Sequence, residues 1–379
     1  MEAWYGYCLM PHTHPAQNPT ADSDVRILLV RLGAIGDVLM ASPVVEVLRE
    51  AYPHAYIAWL VEPLAAPFVR CNPYVDEVIV AERKAAWQRM LREWKLLPFL
   101  REARAFGQQL RARKFDIAID CQGLLKSGMF AYLSGAPRRI GFIPSREGNR
   151  LFLTEPIERP SHPTRITQTY LSMLSALGLP VAARRPVLPI PAPEREAAQA
   201  FLQSNGLADR RYVACCISTS RPQKDWIWSR WGELADLFWE RDGLRTVFVG
   251  GPERRVDTLR LVESAASHPI SAVGHTNLLQ SAAIVQDATV VVGCDTGLTY
   301  AGLATDTPTV ALYGSTDPTW LAEEPYMALC FHPMHCSPCH RRPRCKTLYD
   351  CMVAITAQEV ADTAATLLER TRKMSEIAE

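Results

Sequence analysis

Short apolar runs separated by helical patterns organise the first part of the chain. Residues 27–30, 56–61 and 78–80 are continuous apolar runs of strand length, and residues 117–120 (IAID) are apolar up to Asp120. Residues 42–51 carry apolar side chains at helical spacing. Strands that are buried on both faces give runs of this kind, whereas strands with one wet face alternate. The alternation of such strands with helices predicts an α/β fold with a doubly wound parallel sheet.

The same pattern begins again after a proline-rich stretch. Residues 180–193 contain five prolines, which is typical of a connector between domains. Strand-like runs follow at residues 212–217, 246–249, 289–292 and 309–313, with helical segments between them. Two α/β halves joined in this way place a ligand cleft between the carboxyl ends of two facing sheets.

These patterns divide the 379 residues into two domains, which is the number that the length favours. We predict a flexible N-terminal arm over residues 1–24 and a first Rossmann-like domain over residues 25–180. A proline-rich linker over residues 181–196 leads to a second Rossmann-like domain over residues 197–379, which includes a cysteine-rich segment at 330–351.

Composition excludes several classes of protein. The net charge is +1, so the chain has no global basic field of the kind that drives nucleic-acid binding. No apolar run approaches the roughly 18 residues of a membrane span, and residues 1–24 lack the apolar core of a signal peptide. With no export signal, the eleven cysteines indicate reduced thiols in a cytoplasm.

The turn after the first strand is a candidate for chemistry. Residues 31–37 (RLGAIGD) contain two glycines and lack the three of a dinucleotide fingerprint. Asp37 falls near a helix start, where its carboxylate is either an ordinary N-terminal charge or a placed base.

Three turns in the second half have the composition of a phosphate site. Residues 293–299 (GCDTGLT) and 250–253 (GGPE) are glycine turns that follow strands, and residues 219–226 add hydroxyls and Lys224. Such turns present backbone N–H groups and a cation to a diphosphate. Ordinary helix starts and a solvated loop remain the alternative explanations.

A basic segment and a cysteine cluster remain. Residues 83–114 contain ten Lys/Arg and two acids beside a helical apolar stripe, which predicts a surface helix or a face for an anionic membrane surface or lipid acceptor. Four cysteines spaced C-x2-C-x5-C-x5-C fit a closed structural Zn or Fe site, with unliganded buried thiols as the alternative; they are Cys336, Cys339, Cys345 and Cys351.

Two long stretches carry a family resemblance. RLGAIGDVLMASPVVEVLREAYP at 31–53 and GCDTGLTYAGLATDTPTVALYGSTDP at 293–318 resemble the bacterial lipopolysaccharide heptosyltransferases, the inverting family-nine glycosyltransferases. The resemblance extends over most of residues 25–320. It implies the GT-B arrangement, in which two Rossmann-like domains face each other across a cleft. It also implies ADP-heptose as donor, bound by the second domain, and an inner-core Kdo or heptose acceptor, bound by the first.

The resemblance also implies roles for individual residues. Asp37 becomes the general base on the acceptor hydroxyl, and Lys224 becomes a catalytic cation at the leaving diphosphate, so that no divalent cation is required. The predicted donor-binding residues are Thr219, Ser220, Lys224, Gly251, Thr276, Asp295, Thr296, Gly297, Leu298 and Tyr300. The predicted acceptor-binding residues are Arg83, Lys84, Gln122, Lys126 and Arg138.

One departure keeps other functions open. Tyr300 stands where the family usually has histidine, and a phenol cannot take a positive charge near neutral pH. This departure leaves a non-catalytic nucleotide-sugar-binding protein as one alternative. The cysteine cluster, which only some members of the family share, leaves a protein O-heptosyltransferase that acts on a serine of an autotransporter as another. For the enzyme on the lipid acceptor we expect a cytoplasmic location, peripheral to the inner membrane.

Overall fold

Two parallel sheets form the framework of the protein. The computed structural model describes residues 18–20, 24–82, 89–90, 92–160, 165–180, 182–207, 211–321, 325–339, 343, 345 and 349–378. Within these ranges the chain forms two six-stranded sheets in which all recorded strand pairs are parallel. The predicted α/β class is confirmed.

The strands of both sheets follow one order. The first sheet contains β1 (Arg26–Val30), β2 (Tyr56–Val61), β3 (Glu77–Val80), β4 (Ile117–Asp120), β5 (Arg138–Ile143) and β6 (Glu155–Glu158), arranged 3-2-1-4-5-6. The second contains β7 (Tyr212–Cys216), β8 (Arg245–Val249), β9 (Ile270–Ser271), β10 (Val290–Cys294), β11 (Thr309–Tyr313) and β12 (Met327–Phe331), arranged 9-8-7-10-11-12. Both are the Rossmann order, in which the direction of winding reverses beside the first strand.

Helices cover the sheets. Those of the first half are α1 (Ile35–Met40), α2 (Ser42–Ala51), α3 (Ala66–Arg70), α4 (Leu96–Arg111), α5 (Leu125–Leu133) and α6 (Ile166–Leu171). Those that follow are α7 (Ala192–Ser204), α8 (Trp228–Asp242), α9 (Arg255–Ser264), α10 (Leu278–Gln286), α11 (Gly297–Ala304), α12 (Asp350–Val353) and α13 (Ala357–Ala378). No helix of the described residues is long and apolar enough to cross a membrane.

Successive residues of the central strands enter different cores. Ile27 and Leu29 pack in one apolar cluster, whereas Leu28 and Val30 pack in another. Side chains alternate between the two faces of a strand, so this division places one core on each face of the first sheet. The second sheet is built in the same way, which explains why its strands also read as unbroken apolar runs.

The basic segment departs from the predicted continuous stripe. Residues 83–88 and 91 lie outside the described part, and α4 begins only at Leu96, after Trp94 takes a positive φ of 54°. Pro98 accounts for the break, because a proline inside a continuous helix would clash with the carbonyl four residues earlier, at Trp94. In the first turn of α4 the same proline is tolerated.

The domain boundaries remain predictions, with one detail added. Leu188 and Ile190 of the proline-rich stretch are buried in a core of the second half, and α7 begins at Ala192, inside the predicted linker. The stretch is therefore packed on the second half over part of its length.

Candidate active site

The predicted catalytic and nucleotide-binding residues converge on corresponding edges of the two sheets. Asp37 follows β1 and Lys126 follows β4, while Lys224 follows β7 and Asp295 follows β10. These four strands flank the two points at which the strand order reverses. In open α/β sheets, ligands bind in the crevice outside the carboxyl ends of such strands.

Neighbouring elements hold the turn that carries Asp37. The indole Nε1 of Trp59 donates to the carbonyl of Arg31 at 3.2 Å. The backbone N–H of Leu32 donates to Oε1 of Gln122 at 2.9 Å. Gln122, predicted to bind the acceptor, is therefore engaged in fixing this turn, and α1 begins at Ile35 with Asp37 in its first turn.

Asp37 is paired and yet accessible. Its Oδ2 forms an ion pair with the Arg31 guanidinium, and Tyr170 donates its hydroxyl to Oδ1 over a long 3.4 Å. The Arg31 side chain is only 9% exposed, whereas that of Asp37 is 42% exposed. The carboxylate is thus oriented from the buried side while it remains open to solvent.

The buried partners of Asp37 are suited to hold it. Burial opposes the charge of Arg31, but the neighbouring Asp37, Tyr170 and Cys121 outweigh burial and raise the pKa of the guanidinium. Arg31 also donates to the carbonyl of Cys121 at 3.1 Å and lies 5.4 Å from the centre of the Tyr170 ring. Burial raises the pKa of Tyr170, so its phenol stays a donor. Neither Arg31 nor Tyr170 was among the predicted site residues.

The other predicted acceptor residues lie in different parts of the first half. Lys126 pairs with Glu62 at 3.0 Å, and Glu62 stands beside Gly33 in the Asp37 turn. Arg138 begins β5, at the opposite, amino edge of the sheet, and donates to both oxygens of Glu155 at 2.6 and 2.8 Å. The structure therefore separates Arg138 from the site. Arg83 and Lys84 lie outside the described residues.

In the second half, Lys224 and Asp295 form an ion pair. Lys224 ends the short 3-10 turn Pro222–Lys224 after β7, and Asp295 follows β10. Their Nζ and Oδ2 atoms are 2.5 Å apart, and the side chains are 15% and 13% exposed. Both predicted residues meet, but the cation that was expected to hold a diphosphate has a carboxylate partner in this structure.

Tyr300 and Tyr313 extend this pair into a network. The Tyr300 hydroxyl donates to Oδ1 of Asp295 at 3.0 Å and lies 2.7 Å from the hydroxyl of Tyr313. Burial, together with the charge of Asp295, raises the pKa of both phenols, so both remain protonated. No motif indicated a role for Tyr313, although it ends β11 at the same edge of the sheet.

The remaining donor-site predictions lie on adjacent turns. Thr219 donates to the Arg221 carbonyl at 2.8 Å, Gly251 N donates to Ser218 Oγ at 2.8 Å, and Thr276 donates to the Ala272 carbonyl at 3.1 Å. Ser220 is exposed and Leu298 is buried in a core.

Thr296 precedes α11 and Gly297 begins it, and the first turn of this helix has no capping side-chain bond. Such an end favours an anion.

One ion pair missed by sequence analysis ties two of these turns together. Arg254, which follows the Gly251 turn, pairs at 2.5 Å with Asp225, which follows Lys224. A basic residue just beyond the glycine turn was the available signal. This pair fixes the Lys224 turn against the turn after β8.

The two halves meet where α1 approaches α11. A Cβ at Gly297 would lie 2.7 Å from Cβ of Ile35, and a Cβ at Gly36 would lie 2.8 Å from Cε2 of Tyr300. The two glycines therefore permit close packing of these helices. Because Asp37 is next to Gly36 and Asp295 is close to Gly297, this contact brings both candidate groups to the junction of the two halves.

The predicted four-cysteine metal site is not supported. Among the described residues, no group of three or more His, Cys, Asp or Glu side chains is arranged to hold a metal ion. Cys351 is instead buried in a core of the second half, next to Met352 and Gly314. Burial is the largest cause that raises the pKa of Cys339 and Cys351, and the other cysteines of the cluster add to it.

Comparison with known proteins decides the family. The family model for glycosyltransferase family 9 (heptosyltransferase) matches residues 103–349, more than half of the chain. This chain belongs to glycosyltransferase family 9. The predicted family and the prediction of an enzyme that transfers a sugar are confirmed.

Relatives and solved structures agree with this assignment. This glycosyltransferase is 26% identical over 306 residues to the lipopolysaccharide core heptosyltransferase OpsX of Haemophilus influenzae, which covers 79% of this chain and 81% of that protein. The family 9 glycosyl transferase of Veillonella parvula matches with a TM-score of 0.75 at 25% identity, over 93% of this chain and 99% of that one.

A second solved structure contains a sugar nucleotide analogue. E. coli heptosyltransferase WaaC with ADP-2-deoxy-2-fluoro heptose matches this glycosyltransferase with a TM-score of 0.69 at 25% identity, over 89% of this chain and 98% of that one. The predicted GT-B fold, with two Rossmann-like domains, is thereby confirmed.

Proposed function

We propose that this glycosyltransferase moves heptose from ADP-heptose to an inner-core lipopolysaccharide acceptor, a Kdo or a heptose, with inversion at the anomeric carbon. One observation carries the proposal. An accessible carboxylate, Asp37, follows a strand at which the strand order of the first sheet reverses. A cation, Lys224, and a helix N-terminus at Gly297 follow the corresponding strands of the second sheet. The two halves are in contact through α1 and α11. The names of the relatives supply the donor and acceptor class.

In this mechanism Asp37 acts first on the acceptor. Its Oδ1 takes the proton of the acceptor hydroxyl as that oxygen forms a bond to the anomeric carbon of the heptose. General base catalysis of this kind contributes about 10²–10⁴-fold in rate. Arg31, held by the Cys121 carbonyl, keeps the other carboxylate oxygen and so fixes the direction in which Oδ1 points.

The second half stabilises the leaving group. As the bond between the anomeric carbon and the phosphate oxygen breaks, negative charge grows on the ADP diphosphate. We assign the stabilisation of that charge to the uncapped first turn of α11 and to the Lys224 ammonium, which has three N–H donors and can bind a phosphate oxygen beside its partner Asp295. Attack from the first half and departure into the second half occur on opposite faces of the sugar, which is the geometry of inversion.

The test is product analysis with purified protein. ADP release is followed with ADP-heptose and three acceptors: a Kdo-terminated core lipid, a heptose-terminated core lipid and a serine peptide from an autotransporter. We expect acceptor-dependent release with a core lipid, and NMR of the product should show an inverted anomeric centre. Release that depends only on the serine peptide, or no release with any acceptor, would overturn the proposal.

We further propose that the enzyme reaches its lipid acceptor at the cytoplasmic face of the inner membrane, through the residues just before α4 and its first two turns. Trp94 and Leu97 are 84% and 80% exposed, Leu100 is exposed, and the exposed Lys95 and Arg101 stand among them. Exposed apolar side chains interspersed with cations favour the surface of an anionic bilayer.

Vesicle flotation tests this contact. The double variant Leu97→Ser/Leu100→Ser should bind less to vesicles that contain anionic lipid, because it removes two apolar side chains that can insert into the bilayer surface. Leu151→Ser is the matched control, since Leu151 is 84% exposed on a different part of the first half. Equal binding of the double variant and wild type would contradict the proposed contact.

A further inference from the structure

Tyr300 stands where the two halves of the molecule meet. It lies in the second turn of α11 and packs against apolar clusters of both halves. Its ring lies directly on the backbone of α1, because a Cβ at Gly36 would be only 2.8 Å from Cε2 of the ring. The residue next to Gly36 is Asp37. The ring of Tyr300 therefore determines how closely the Asp37 turn approaches the second half.

The hydroxyl of the same residue acts on the other candidate group. A phenol has one proton, so when Tyr300 donates to Asp295 the short contact with Tyr313 requires Tyr313 to donate to Tyr300. The second oxygen of Asp295 accepts from Lys224. A chain of hydrogen bonds thus runs from Tyr313 through Tyr300 and Asp295 to the ammonium group of Lys224.

We propose that Tyr300 is a positioning residue, which sets Asp295 and through it Lys224 at a fixed distance from the Gly36–Asp37 turn, and that it is not itself a ligand of the donor. This inference rests on the proposed function and revises the expectation that Tyr300 binds the donor directly. Its ring is occupied by α1 and its hydroxyl by two protein partners.

The chemistry explains why tyrosine suits this position. The side chain must fill the space over a glycine in one half and still carry a neutral donor as far as a carboxylate in the other. Phenylalanine fills the space without the donor, whereas the smaller ring of histidine carries a donor over a shorter reach. Tyr300 combines both properties, and the buried Tyr313 fixes its hydroxyl.

A double-mutant cycle separates positioning from direct binding. Tyr300→Phe keeps the ring on Gly36 and removes the bond to Asp295. Because hydrogen bonds to charged groups are worth the equivalent of about 10–100-fold in an equilibrium constant, we expect the KM for ADP-heptose to rise by up to this factor. In a Lys224→Met background the same substitution should have almost no further effect, since Tyr300 acts only through that cation.

Two further variants keep the experiment decisive. Tyr313→Phe should raise the same KM by a smaller factor, because it removes the donor to the Tyr300 hydroxyl and leaves the bond from Tyr300 to Asp295. Tyr132→Phe is the control for loss of a tyrosine hydroxyl, since Tyr132 is exposed on α5. Near-UV circular dichroism and Tm are compared for all variants, to verify that the folds match.

The outcomes are distinct. Equal factors for Tyr300→Phe in both backgrounds would mean that Tyr300 contacts the donor itself, and an unchanged KM would mean that its hydroxyl has no role; either result overturns the inference. The same cycle is run with ADP affinity by titration calorimetry. If wild type transfers no heptose, the proposed function fails, while the ADP cycle still tests the coupling through Asp295.

Discussion

Replacement of Lys224 by methionine tests the cradle that we assign to the diphosphate. The substitution keeps most of the side-chain volume and removes the ammonium, which leaves Asp295 without its cation at 2.5 Å. Asp295 retains the hydrogen bond from Tyr300. Two effects follow, one on folding stability and one on ADP affinity, and they are measured separately.

The exposures of the two side chains set the size of the stability effect. Removing one partner of a fully buried pair costs about 3–5 kcal/mol. Because Lys224 and Asp295 keep 15% and 13% exposure and Tyr300 still donates to Asp295, we expect the free energy of unfolding to fall by about 2–3 kcal/mol. The double variant Lys224→Met/Asp295→Asn should recover much of this loss, because no unpaired charge remains.

The effect on ADP follows from the lost charge-assisted bonds. One hydrogen bond to a charged group contributes about 1.5–3 kcal/mol, so ADP affinity should weaken about 10–100-fold. Urea denaturation and titration calorimetry give the two quantities, with Lys224→Arg as the variant that keeps the charge. Unchanged ADP affinity in Lys224→Met would refute the assigned contact. Equal destabilisation by the single and double variants would refute the charge coupling.

Three other predictions follow from individual residues. Arg31→Met should lower kcat about 10–100-fold, because the Asp37 carboxylate is then no longer oriented to accept the proton. ADP affinity, measured by calorimetry, should stay unchanged. Arg138→Met should cost about 1–3 kcal/mol in urea denaturation by leaving Glu155 unpaired, with the acceptor KM unaltered; a raised KM would restore its predicted role. Burial raises the pKa of Asp120, so the free energy of unfolding of the wild type should fall as pH rises through that pKa. Asp120→Asn lacks this titration, so its free energy of unfolding should increase relative to that of the wild type from acid to neutral pH. Parallel curves of unfolding free energy against pH for the two proteins would contradict this sign.

Much of the fold could be predicted from apolar runs because the central strands are buried on both faces. The runs at 56–61, 117–120 and 309–313 coincide with observed strands. Four strands were missed, and all lie toward sheet edges. Arg138–Ile143 begins with two arginines, Glu155–Glu158 and Met327–Phe331 are only partly buried, and Ile270–Ser271 has two residues. A strand with one exposed face does not give an unbroken apolar run.

The positions of candidate residues could be predicted where those residues follow strands. Parallel strands end at one edge of a sheet, so turns after apolar runs come together whatever their distance along the chain. Side-chain partners across that edge were not predictable: Tyr170 and Asp37 are 133 positions apart, and no pattern links them. The residues around Arg138 do not form an apolar run, so the strand that it begins, and the edge of the sheet at which it lies, could not be predicted.

The most direct measurement is the turnover of Asp37→Asn with ADP-heptose and core lipid acceptor, together with its ADP affinity. Asparagine keeps the shape of the side chain and cannot take the acceptor proton. The control is Asp362→Asn, which removes another exposed carboxylate paired with an arginine, Arg241. We predict that kcat falls about 10²–10⁴-fold while ADP affinity stays at the wild-type value. Wild-type turnover in Asp37→Asn would contradict the proposal that this carboxylate is the base.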